Sequence, residues 1–210
     1  MKYKLICFDL QGTLSNADFS DYFWFEVLPL LYKQSKGYLS IEEAKSELKK
    51  IFGEYGKYDY RYYSVSYWIK ELGLNMTEDE AILLIKKDSV FYGDTLFLIQ
   101  ELNKTNCVII LSTTVRSFIK KELNGREELF QKTYSALDDF NSPGKTKEVY
   151  EQLARDYNIE PNEAINIGDN EEMDIVNSSK ANWDNFFFDK KIERSVIIEQ
   201  LRIKLKDNLL

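Results

Sequence analysis

Histidine is absent from this chain of 210 residues. Its absence excludes Ser-His-Asp and Cys-His catalysis, zinc proteases and any imidazole general base. Chemistry carried out by this chain must therefore use carboxylates, lysine, hydroxyl groups or a bound metal ion.

Cysteine is scarce as well. Only Cys7 and Cys107 are present, and both lie inside apolar segments that are typical of strands. Small thiols in such surroundings behave as hydrophobic side chains. We therefore expect two buried, free cysteines.

The chain also lacks an excess of positive charge and a long apolar run. It carries 28 Lys and Arg against 35 Asp and Glu, a net charge of -7. Nucleic acids and anionic membranes bind basic surfaces, and no apolar run approaches the roughly 20 residues that span a bilayer. The N-terminal residues MKYKLICFD lack the pattern of a signal peptide. We expect a cytoplasmic protein that binds neither nucleic acid nor membrane.

Short apolar segments alternate with helical patterns over most of the chain. The apolar segments are 4–9, 107–111, 164–167 and 185–188. The helical patterns between and beside them are 94–103, 115–124, 145–158 and 171–180. This alternation predicts an α/β fold, a doubly wound parallel sheet with helices on both faces.

Residues 15–90 do not follow this alternation. Helices are predicted there at 19–35, 40–52, 61–72 and 77–89. Capping boxes at Ser40 with Glu43 and at Thr77 with Glu80 mark two of the helix starts. We predict one domain with an insertion, in which 15–90 is a helical cap and 1–14 with 91–210 form the catalytic core.

The C-terminal residues 191–205 carry an apolar stripe typical of a helix. Its members are Val196, Ile197, Leu201 and Leu205. The stripe favours packing against the core, with a dimer contact as the alternative. The sequence therefore leaves monomer and homodimer open.

Three polar residues follow predicted strands that are far apart in the sequence: Asp9, Ser112 and Asp169. In a doubly wound sheet, ligands bind at the carboxyl ends of the strands, so these residues should converge. The loop 168–174 holds four acids, which would repel one another without a cation. Mg²⁺ prefers oxygen ligands. We predict a magnesium site formed by Asp9, Asp169 and a backbone carbonyl near residue 11.

The order of these motifs resembles that of the haloacid dehalogenase superfamily of phosphohydrolases. The family's motifs are an Asp at a strand end followed by Gly-Thr, a Ser or Thr at a strand end, a Lys, and a GDxxxxD-type loop. Here they correspond to residues 9–13, Ser112, Lys145 and residues 168–174. The resemblance covers essentially the whole chain. It implies a Rossmann-like core with a helical cap between the first two motifs, Mg²⁺ as cofactor, and a small phosphorylated metabolite as substrate.

Phosphoryl transfer gives each of these residues a role. Asp9 would attack phosphorus to form an aspartyl-phosphate, once a cation has neutralised part of the phosphate charge. Ser112, Thr113 and Lys145 would hold the phosphoryl oxygens. Asp174 would orient Lys145 or a water molecule at the metal.

Two neighbouring lysines compete for the phosphate-binding role. Lys145 lies close to the expected distance ahead of Asp169, and Lys147 is its near neighbour. We predict Lys145. The run Gly144-Lys145-Thr146 is also similar to the end of a nucleotide-binding P-loop, but that motif needs a glycine at position 139, where this chain has Asp.

Position 11 departs from the family pattern. The family's phosphatases usually carry a second Asp two residues after the nucleophile, as acid to the leaving group and base to the attacking water, and this chain has Gln11. An amide cannot exchange a proton near neutral pH, and loss of a positioned acid/base typically costs about 10²–10⁴-fold in rate. The family's metal contact at this position is a backbone carbonyl, so Gln11 should still bind the metal.

Three functions are compatible with Gln11. The chain is a slow phosphatase in which another carboxylate or a water replaces the missing acid, or a phosphate-binding relative without turnover. A hydrolase of carbon–halogen bonds ranks last, because the complete acidic loop favours metal, and metal favours phosphate.

Aromatic residues are concentrated in the predicted cap. They are Tyr22, Phe23, Trp24, Phe25, Tyr55, Tyr58, Tyr60, Tyr62, Tyr63, Tyr67 and Trp68. Most of them are expected to form the core of a small helical bundle. Successive aromatic residues cannot all face inward, however, so some must face the cleft or a partner. Alternatively, they form a lid that selects a cyclic or aromatic leaving group, with Arg61 or Lys57 binding a second anionic group.

Overall fold

A parallel sheet lies at the centre of the chain. The computed structural model describes residues 2–56 and 59–209. Within them the sheet has five parallel strands in the order β3-β2-β1-β4-β5. The strands are β1 (Leu5–Phe8), β2 (Cys107–Ser112), β3 (Lys132–Ser135), β4 (Ala164–Gly168) and β5 (Asp184–Phe187). The predicted doubly wound α/β fold is confirmed.

Strand β3 is the one that the sequence pattern does not reveal. It consists of the four residues KTYS and lies at the edge of the sheet, beside β2. Its first residue, Lys132, is exposed. An edge strand is only partly covered, so it needs no continuous apolar run.

The central strand β1 sets the position of the site. All four of its residues are buried, as expected for a strand covered on both faces. Phe8 lies opposite Ile110 of β2 and Ile167 of β4. Because the strands are parallel, their carboxyl ends open at one edge, and the polar residues that follow them are brought to that edge.

Helices cover both faces of the sheet. The α-helices of the described residues, of which α1 to α6 belong to the insertion, are α1 (Asp18–Tyr22), α2 (Leu28–Lys36), α3 (Ile41–Gly53), α4 (Tyr60–Tyr63), α5 (Val65–Glu71), α6 (Glu78–Leu83), α7 (Gly93–Leu102), α8 (Arg116–Leu123), α9 (Ala136–Phe140), α10 (Lys147–Asp156), α11 (Asn177–Lys180) and α12 (Arg194–Lys204). Helices α7 and α12 pack on the face that carries Ile6 and Phe8. Helix α10 packs on the opposite face, against Leu5 and Cys7.

The insertion between β1 and α7 has its own hydrophobic cluster. Residues of α1, α2, α3, α5 and α6 form this cluster together with Trp68, which is completely buried. The cluster continues into the core through Val115 and Phe118, at the start of α8. The predicted capping boxes at Ser40 and Thr77 are both present. The insertion therefore packs against helix α8. That the insertion spans exactly residues 15–90 stays a prediction.

Two helices of the insertion differ from their predicted lengths. The segment 61–72 is interrupted at Ser64, whose backbone is extended and whose Oγ accepts a hydrogen bond from the Tyr67 amide at 3.3 Å. Serine side chains compete with the helical backbone in this way. The segment 77–89 is helical only to Leu83, because the following residues form a tight turn that buries Ile85.

Helix bounds near the predicted site differ as well. Helix α10 begins at Lys147, so Lys145 precedes the helix rather than opening it. The predicted helix 171–180 consists of a π-helical turn, Glu171–Val176, followed by α11. A second π-helical turn, Phe23–Val27, joins α1 to α2.

The last helix and the cysteines complete the core. Helix α12 packs on the sheet through Ile197 and Leu201, while Val196, expected in the same stripe, is 46% exposed. Cys7 and Cys107 are free, but only Cys7 is fully buried, because Cys107 lies at the start of β2. Among the described residues, no helix is long and apolar enough to cross a membrane.

Candidate active site

Asp9 is the first residue after the central strand. Its amide donates a hydrogen bond to the Ile167 carbonyl at 2.8 Å, which continues the pairing of β1 with β4. Its side chain is 10% exposed. The Thr13 hydroxyl lies 3.3 Å from Asp9 Oδ2. The Asp9 carboxylate thus lies at the carboxyl end of β1 and is largely shielded from solvent.

A buried lysine bridges two carboxylates at this position. Lys145 Nζ lies 2.5 Å from Asp9 Oδ1 and 2.6 Å from Asp174 Oδ1. Asp174 is completely buried, and its Oδ2 accepts a hydrogen bond from the Asn170 amide at 3.0 Å. Lys147, in contrast, is exposed and pairs with Glu151 one helical turn away. Of the two competing lysines, the structure brings Lys145 to Asp9.

Burial and charge act against each other in this cluster. Burial raises the pKa of the Asp9 carboxyl above its ordinary value; Lys145 opposes the rise, and Asp174 and Asp169 add to it. Burial by itself would lower the pKa of Lys145, but Asp174 and Asp9 outweigh it and hold that pKa above its usual value. Lys145 therefore stays charged between the two carboxylates.

Asp169 completes the acidic group from the end of β4. Oxygen atoms of Asp9, Asp169 and Asp174 lie within 4.8 Å of one another. The ammonium group of Lys190, in the loop after β5, pairs with Asp169 Oδ2. Lys190 and Lys145 thus supply positive charge to Asp169 and Asp174, two of the four acids in this loop.

Glycines permit the close approach of these loops. Gly12 has a φ of +93°, a conformation that favours glycine. A Cβ at Gly12 would lie 2.5 Å from both Asp169 Oδ2 and Lys190 Nζ. At Gly168, a Cβ would overlap the Asp174 carboxylate. Both glycines are therefore required by the space that the acidic residues occupy.

The donor set fits a hard divalent cation. Three carboxylates converge from two neighbouring strand ends, and oxygen atoms are the ligands that Mg²⁺ prefers. Asp174 is completely buried and both its oxygens accept hydrogen bonds, from Lys145 and from the Asn170 amide, whereas the side chains of Asp9 and Asp169 are 10% and 16% exposed. Asp9 and Asp169 are thus the best placed to hold a metal, with the Gln11 carbonyl as the predicted third ligand.

The end of β2 supplies hydroxyl groups. Ser112 is buried, and its Oγ lies 3.3 Å from the Thr114 amide. The residue before α8 is Val115, so Ser112 does not cap that helix. Thr113 and Thr114 line the cleft between the core and the insertion. The hydroxyl groups predicted to bind phosphate thus lie at the same edge of the sheet as Asp9.

Gln11 is paired with a carboxylate that the sequence analysis does not identify. Its Nε2 lies 2.7 Å from Glu122 Oε2, and its Oε1 accepts a hydrogen bond from Ser20 Oγ at 3.0 Å. Glu122 lies on α8 and is completely buried, and burial raises the pKa of its carboxyl to about 7. The sequence does carry a signal: Glu122 follows Phe118 and Ile119 at helical spacing, an acid on the apolar face of a helix.

Lys190 is the other residue missed from the sequence. It follows the last strand of the sheet, where the chain returns to the same edge as Asp9. The strand end was visible as the apolar segment 185–188. This apolar segment does not indicate that the Lys190 side chain reaches Asp169.

A cleft of about 870 Å³ lies between the core and the insertion. Its aromatic lining residues are Trp24, Phe25, Phe52, Tyr55, Tyr62 and Tyr63, and its polar ones include Gln11, Ser20, Lys45, Lys49 and Thr113. Trp68 and Phe23 are instead buried in the hydrophobic cluster of the insertion. Some of the aromatic residues thus form bundle core, and others face the cleft.

Arg61 has a different environment from the one expected of a substrate ligand. Its guanidinium pairs with Asp59 and lies 4.4 Å from the centre of the Tyr55 ring. It lines a separate groove with Asn141 and Pro143. Lys57 and Tyr58, also considered for the lid, lie outside the described residues.

The comparisons with known proteins agree on one family. A model of the haloacid dehalogenase-like hydrolases matches residues 3–176. Among curated proteins, none matches the chain significantly.

Several solved structures share the fold. The chain is 20% identical to a haloacid dehalogenase-type phosphatase from Thermococcus onnurineus, with a TM-score of 0.79 over 96% of this chain and 97% of that one. It is 15% identical to a predicted phosphoglycolate phosphatase from Haemophilus somnus, with a TM-score of 0.63 over 97% and 99%. An enzyme from Bacteroides thetaiotaomicron, solved with magnesium and inorganic phosphate, is 17% identical, with a TM-score of 0.57 over 93% and 98%.

Proposed function

The chain belongs to the haloacid dehalogenase-like hydrolases, and we propose that it hydrolyses small phosphate monoesters through an aspartyl-phosphate on Asp9. One observation carries this proposal. Asp9 lies buried at a strand end, within reach of the Lys145 ammonium at 2.5 Å and beside the Asp169 carboxylate. A nucleophile, a cationic phosphate ligand and a metal-binding acid are thus brought together.

The metal of this site is proposed to be Mg²⁺, with Asp9, Asp169 and the Gln11 carbonyl as its protein ligands. Its role is to neutralise charge on the phosphate ester so that a carboxylate can approach. The complex of the Bacteroides thetaiotaomicron enzyme with magnesium and phosphate supports this assignment. Lys190 would have to leave Asp169 when the metal binds, since its ammonium contacts the same carboxylate.

In the first step, an Asp9 oxygen forms a bond to phosphorus while the ester oxygen leaves with its electron pair. Lys145 stabilises negative charge on the phosphoryl oxygens, and its charged state is maintained by Asp174. Ser112 and Thr113 would donate hydrogen bonds to the same oxygens. The leaving oxygen takes its proton from water, because the Gln11 amide cannot supply one.

In the second step, water attacks the aspartyl-phosphate, releases inorganic phosphate and frees Asp9. The attacking water passes its proton to bulk water in this step, because the Gln11 amide cannot act as the base that accepts it. The missing base typically costs about 10²–10⁴-fold in rate. We therefore expect hydrolysis of the intermediate to be slower than its formation.

The cleft indicates which esters are accommodated. Its walls are mostly aromatic, and its charged residues are of both signs, with Lys45 paired to Glu26 at 2.8 Å. An ester with an aromatic or otherwise apolar alcohol would bury its ring against Trp24, Phe25 and Phe52. The position of the cleft between the core and the insertion favours a small substrate over a phosphoprotein.

A rapid-mixing experiment with p-nitrophenyl phosphate and Mg²⁺ tests the proposal. We expect a burst of nitrophenol close to one equivalent of enzyme, followed by slow turnover. Asp9→Asn and chelation of the metal should each abolish the burst, while Asp156→Asn, an exposed acid on α10, should not change it.

Other outcomes identify the alternatives. A phosphate-binding protein without turnover would show no burst, although inorganic phosphate would still protect it from unfolding when Mg²⁺ is present. A hydrolase of carbon–halogen bonds would act on a 2-haloacid and would be unaffected by the chelator.

A further inference from the structure

Glu122 is a buried carboxylate whose hydrogen-bond donors are uncharged. It is completely buried on α8. The donors are the Gln11 amide at 2.7 Å, the Ser15 hydroxyl, and the Ser89 hydroxyl at 3.4 Å. Ser15 and Ser89 lie in the two segments that connect the core to the insertion. Glu122 therefore contacts both connecting segments and, through Gln11, the loop after Asp9.

The contact determines which way the Gln11 amide points. The side of Gln11 that faces Glu122 is the amide nitrogen, which donates to Oε2 and so satisfies an acceptor of the buried carboxyl group. The amide oxygen then faces Ser20 on α1, whose hydroxyl donates to it at 3.0 Å. Both ends of the amide are thus bound, one to the core helix α8 and the other to the insertion. Gln11 also lines the cleft beside Thr113.

A carboxylate at position 11 would not fit these partners. It has no N–H to donate, so it would leave the buried Glu122 oxygen without its donor, and an Asp, one methylene shorter than Gln, does not reach as far. Whenever both carboxyl groups are ionised, like charges so close also repel each other strongly in a buried position. The usual acid of the family is therefore incompatible with Glu122, whereas an amide satisfies it.

We propose that Glu122 is the positioning residue for Gln11: it requires an amide at position 11, sets the orientation of that amide, and prevents a carboxylate there from acting as the acid/base group. This inference rests on the proposed hydrolase function. It implies that Gln11 and Glu122 act as one pair, and that substituting Gln11 alone does not restore fast turnover.

A double-substitution cycle tests the pair. The proteins are the unaltered chain, Gln11→Asp, Glu122→Gln, and the combination of both, which places the carboxylate at position 11 and the amide at position 122. Each is assayed for steady-state turnover of p-nitrophenyl phosphate with Mg²⁺, and for unfolding in urea without metal.

We expect Gln11→Asp alone to lower the folding equilibrium constant by roughly tenfold or more, and to lower it far less when Glu122→Gln is also present. Turnover of the double variant should exceed that of Gln11→Asp by at least roughly tenfold, within the range that a positioned acid/base supplies. Ser89→Ala in the Gln11→Asp background is the matched control: it removes another partner of Glu122 but keeps the carboxylate, and should not raise turnover.

The outcomes separate this inference from the proposed function. Equal folding costs of Gln11→Asp with and without Glu122→Gln, or equal turnover of Gln11→Asp and the double variant, would overturn the positioning role. So would a gain from Ser89→Ala as large as that from Glu122→Gln, because Glu122 would then act only as an anchor of the connections. A third result is possible, in which the folding cost of Gln11→Asp depends on Glu122→Gln but all four proteins show neither burst nor turnover. The pairing of Gln11 with Glu122 is then supported, and the phosphatase proposal fails.

Discussion

Lys145 is the residue on which the electrostatics of the site depend most. It is 1% exposed and lies between Asp9 and Asp174, two carboxylates that follow different strands in the chain. Removing one member of a buried ion pair leaves charge without a partner, which is more costly than losing the pair as a whole. The lysine therefore contributes to folding in addition to its proposed role in phosphate binding.

Replacing this lysine by an uncharged residue of similar length should destabilise the fold. We expect Lys145→Met to lower the free energy of unfolding by about 3–5 kcal/mol in metal-free buffer, measured by urea denaturation. The control is Lys147→Met, two residues away, where an exposed pair with Glu151 is worth about 0–1 kcal/mol. Similar losses in both variants would contradict the buried bridge.

Glu122 should make stability depend on pH. Its folded-state pKa is raised from 4.5 to about 7 by burial, and the groups that donate to it are uncharged. Between these pH values the folded protein keeps a proton that the unfolded chain has released, so the contribution of Glu122 is fully present below about pH 4.5 and is lost as the pH rises to about 7. A rise of this size corresponds to roughly 3 kcal/mol.

The measurement compares the unaltered protein with Glu122→Gln, both without metal. Relative to Glu122→Gln, the unaltered protein should lose roughly 3 kcal/mol of its free energy of unfolding between pH 4.5 and pH 7.5. Because other carboxylates titrate in both proteins, only this difference reports on Glu122. A difference that stays constant over this range would show that Glu122 is not desolvated.

At the scale of the elements, local sequence determines where the helices of the insertion begin. Ser40 accepts a hydrogen bond from the Glu43 amide at 3.2 Å, and the Glu43 carboxylate accepts one from the Ser40 amide at 2.8 Å. This reciprocal box starts α3, the helix that brings Lys45, Lys49 and Phe52 to the cleft. The helix α3 that carries these cleft residues thus depends on a cap at its N-terminal end.

Loss of this cap should weaken α3. Ser40→Ala is expected to lower the free energy of unfolding by about 1 kcal/mol, because one orphan amide of the first turn loses its acceptor. Ser46→Ala, an exposed position inside the same helix, should be neutral or slightly stabilising because alanine favours helices. The comparison needs only urea titrations of the two variants, and a smaller loss for Ser40 than for Ser46 would contradict the cap.

At the scale of the whole molecule, two hydrophobic clusters meet at α8. The cluster of the insertion includes Phe118, while the core cluster includes Ile119 and Leu123 of the same helix. The cleft lies between these two bodies and opens above the carboxyl ends of the strands. The aromatic wall of the cleft therefore belongs to the insertion, and the residues proposed to carry out catalysis belong to the core.

This division predicts that substrate preference and chemistry can be altered separately. Phe25 lines the cleft with 59% of its surface exposed. Phe25→Ala should raise the KM for an aryl phosphate about three- to tenfold through lost ring packing, with little change for glycerol phosphate. Phe97→Ala removes an equally exposed ring, 64% exposed on α7, and should affect neither substrate. Steady-state kinetics on the two esters would reveal a general defect if both KM values changed alike.

The sequence by itself was sufficient for the core and its polar strand ends. Apolar runs that end in Asp9, Ser112 and the acidic loop predict a parallel sheet, because strands covered on both faces need continuous apolar residues. Parallel strands share one carboxyl edge, so the convergence of these residues also follows. Strand β3 could not be predicted in this way, since an edge strand with the sequence KTYS carries no apolar run.

Only the tertiary structure decided what the residues at the site contact. The sequence predicts Lys145 rather than Lys147 from its distance to Asp169, but the contact of Lys145 with Asp9 depends on where the loop before α10 passes. The contact of Gln11 with Glu122 joins residues 111 positions apart. Helical spacing places Glu122 on a buried face, but the group that meets it is determined by how α8 packs beneath the insertion. Periodicity determines which side of an element is buried, and packing between elements determines its neighbours.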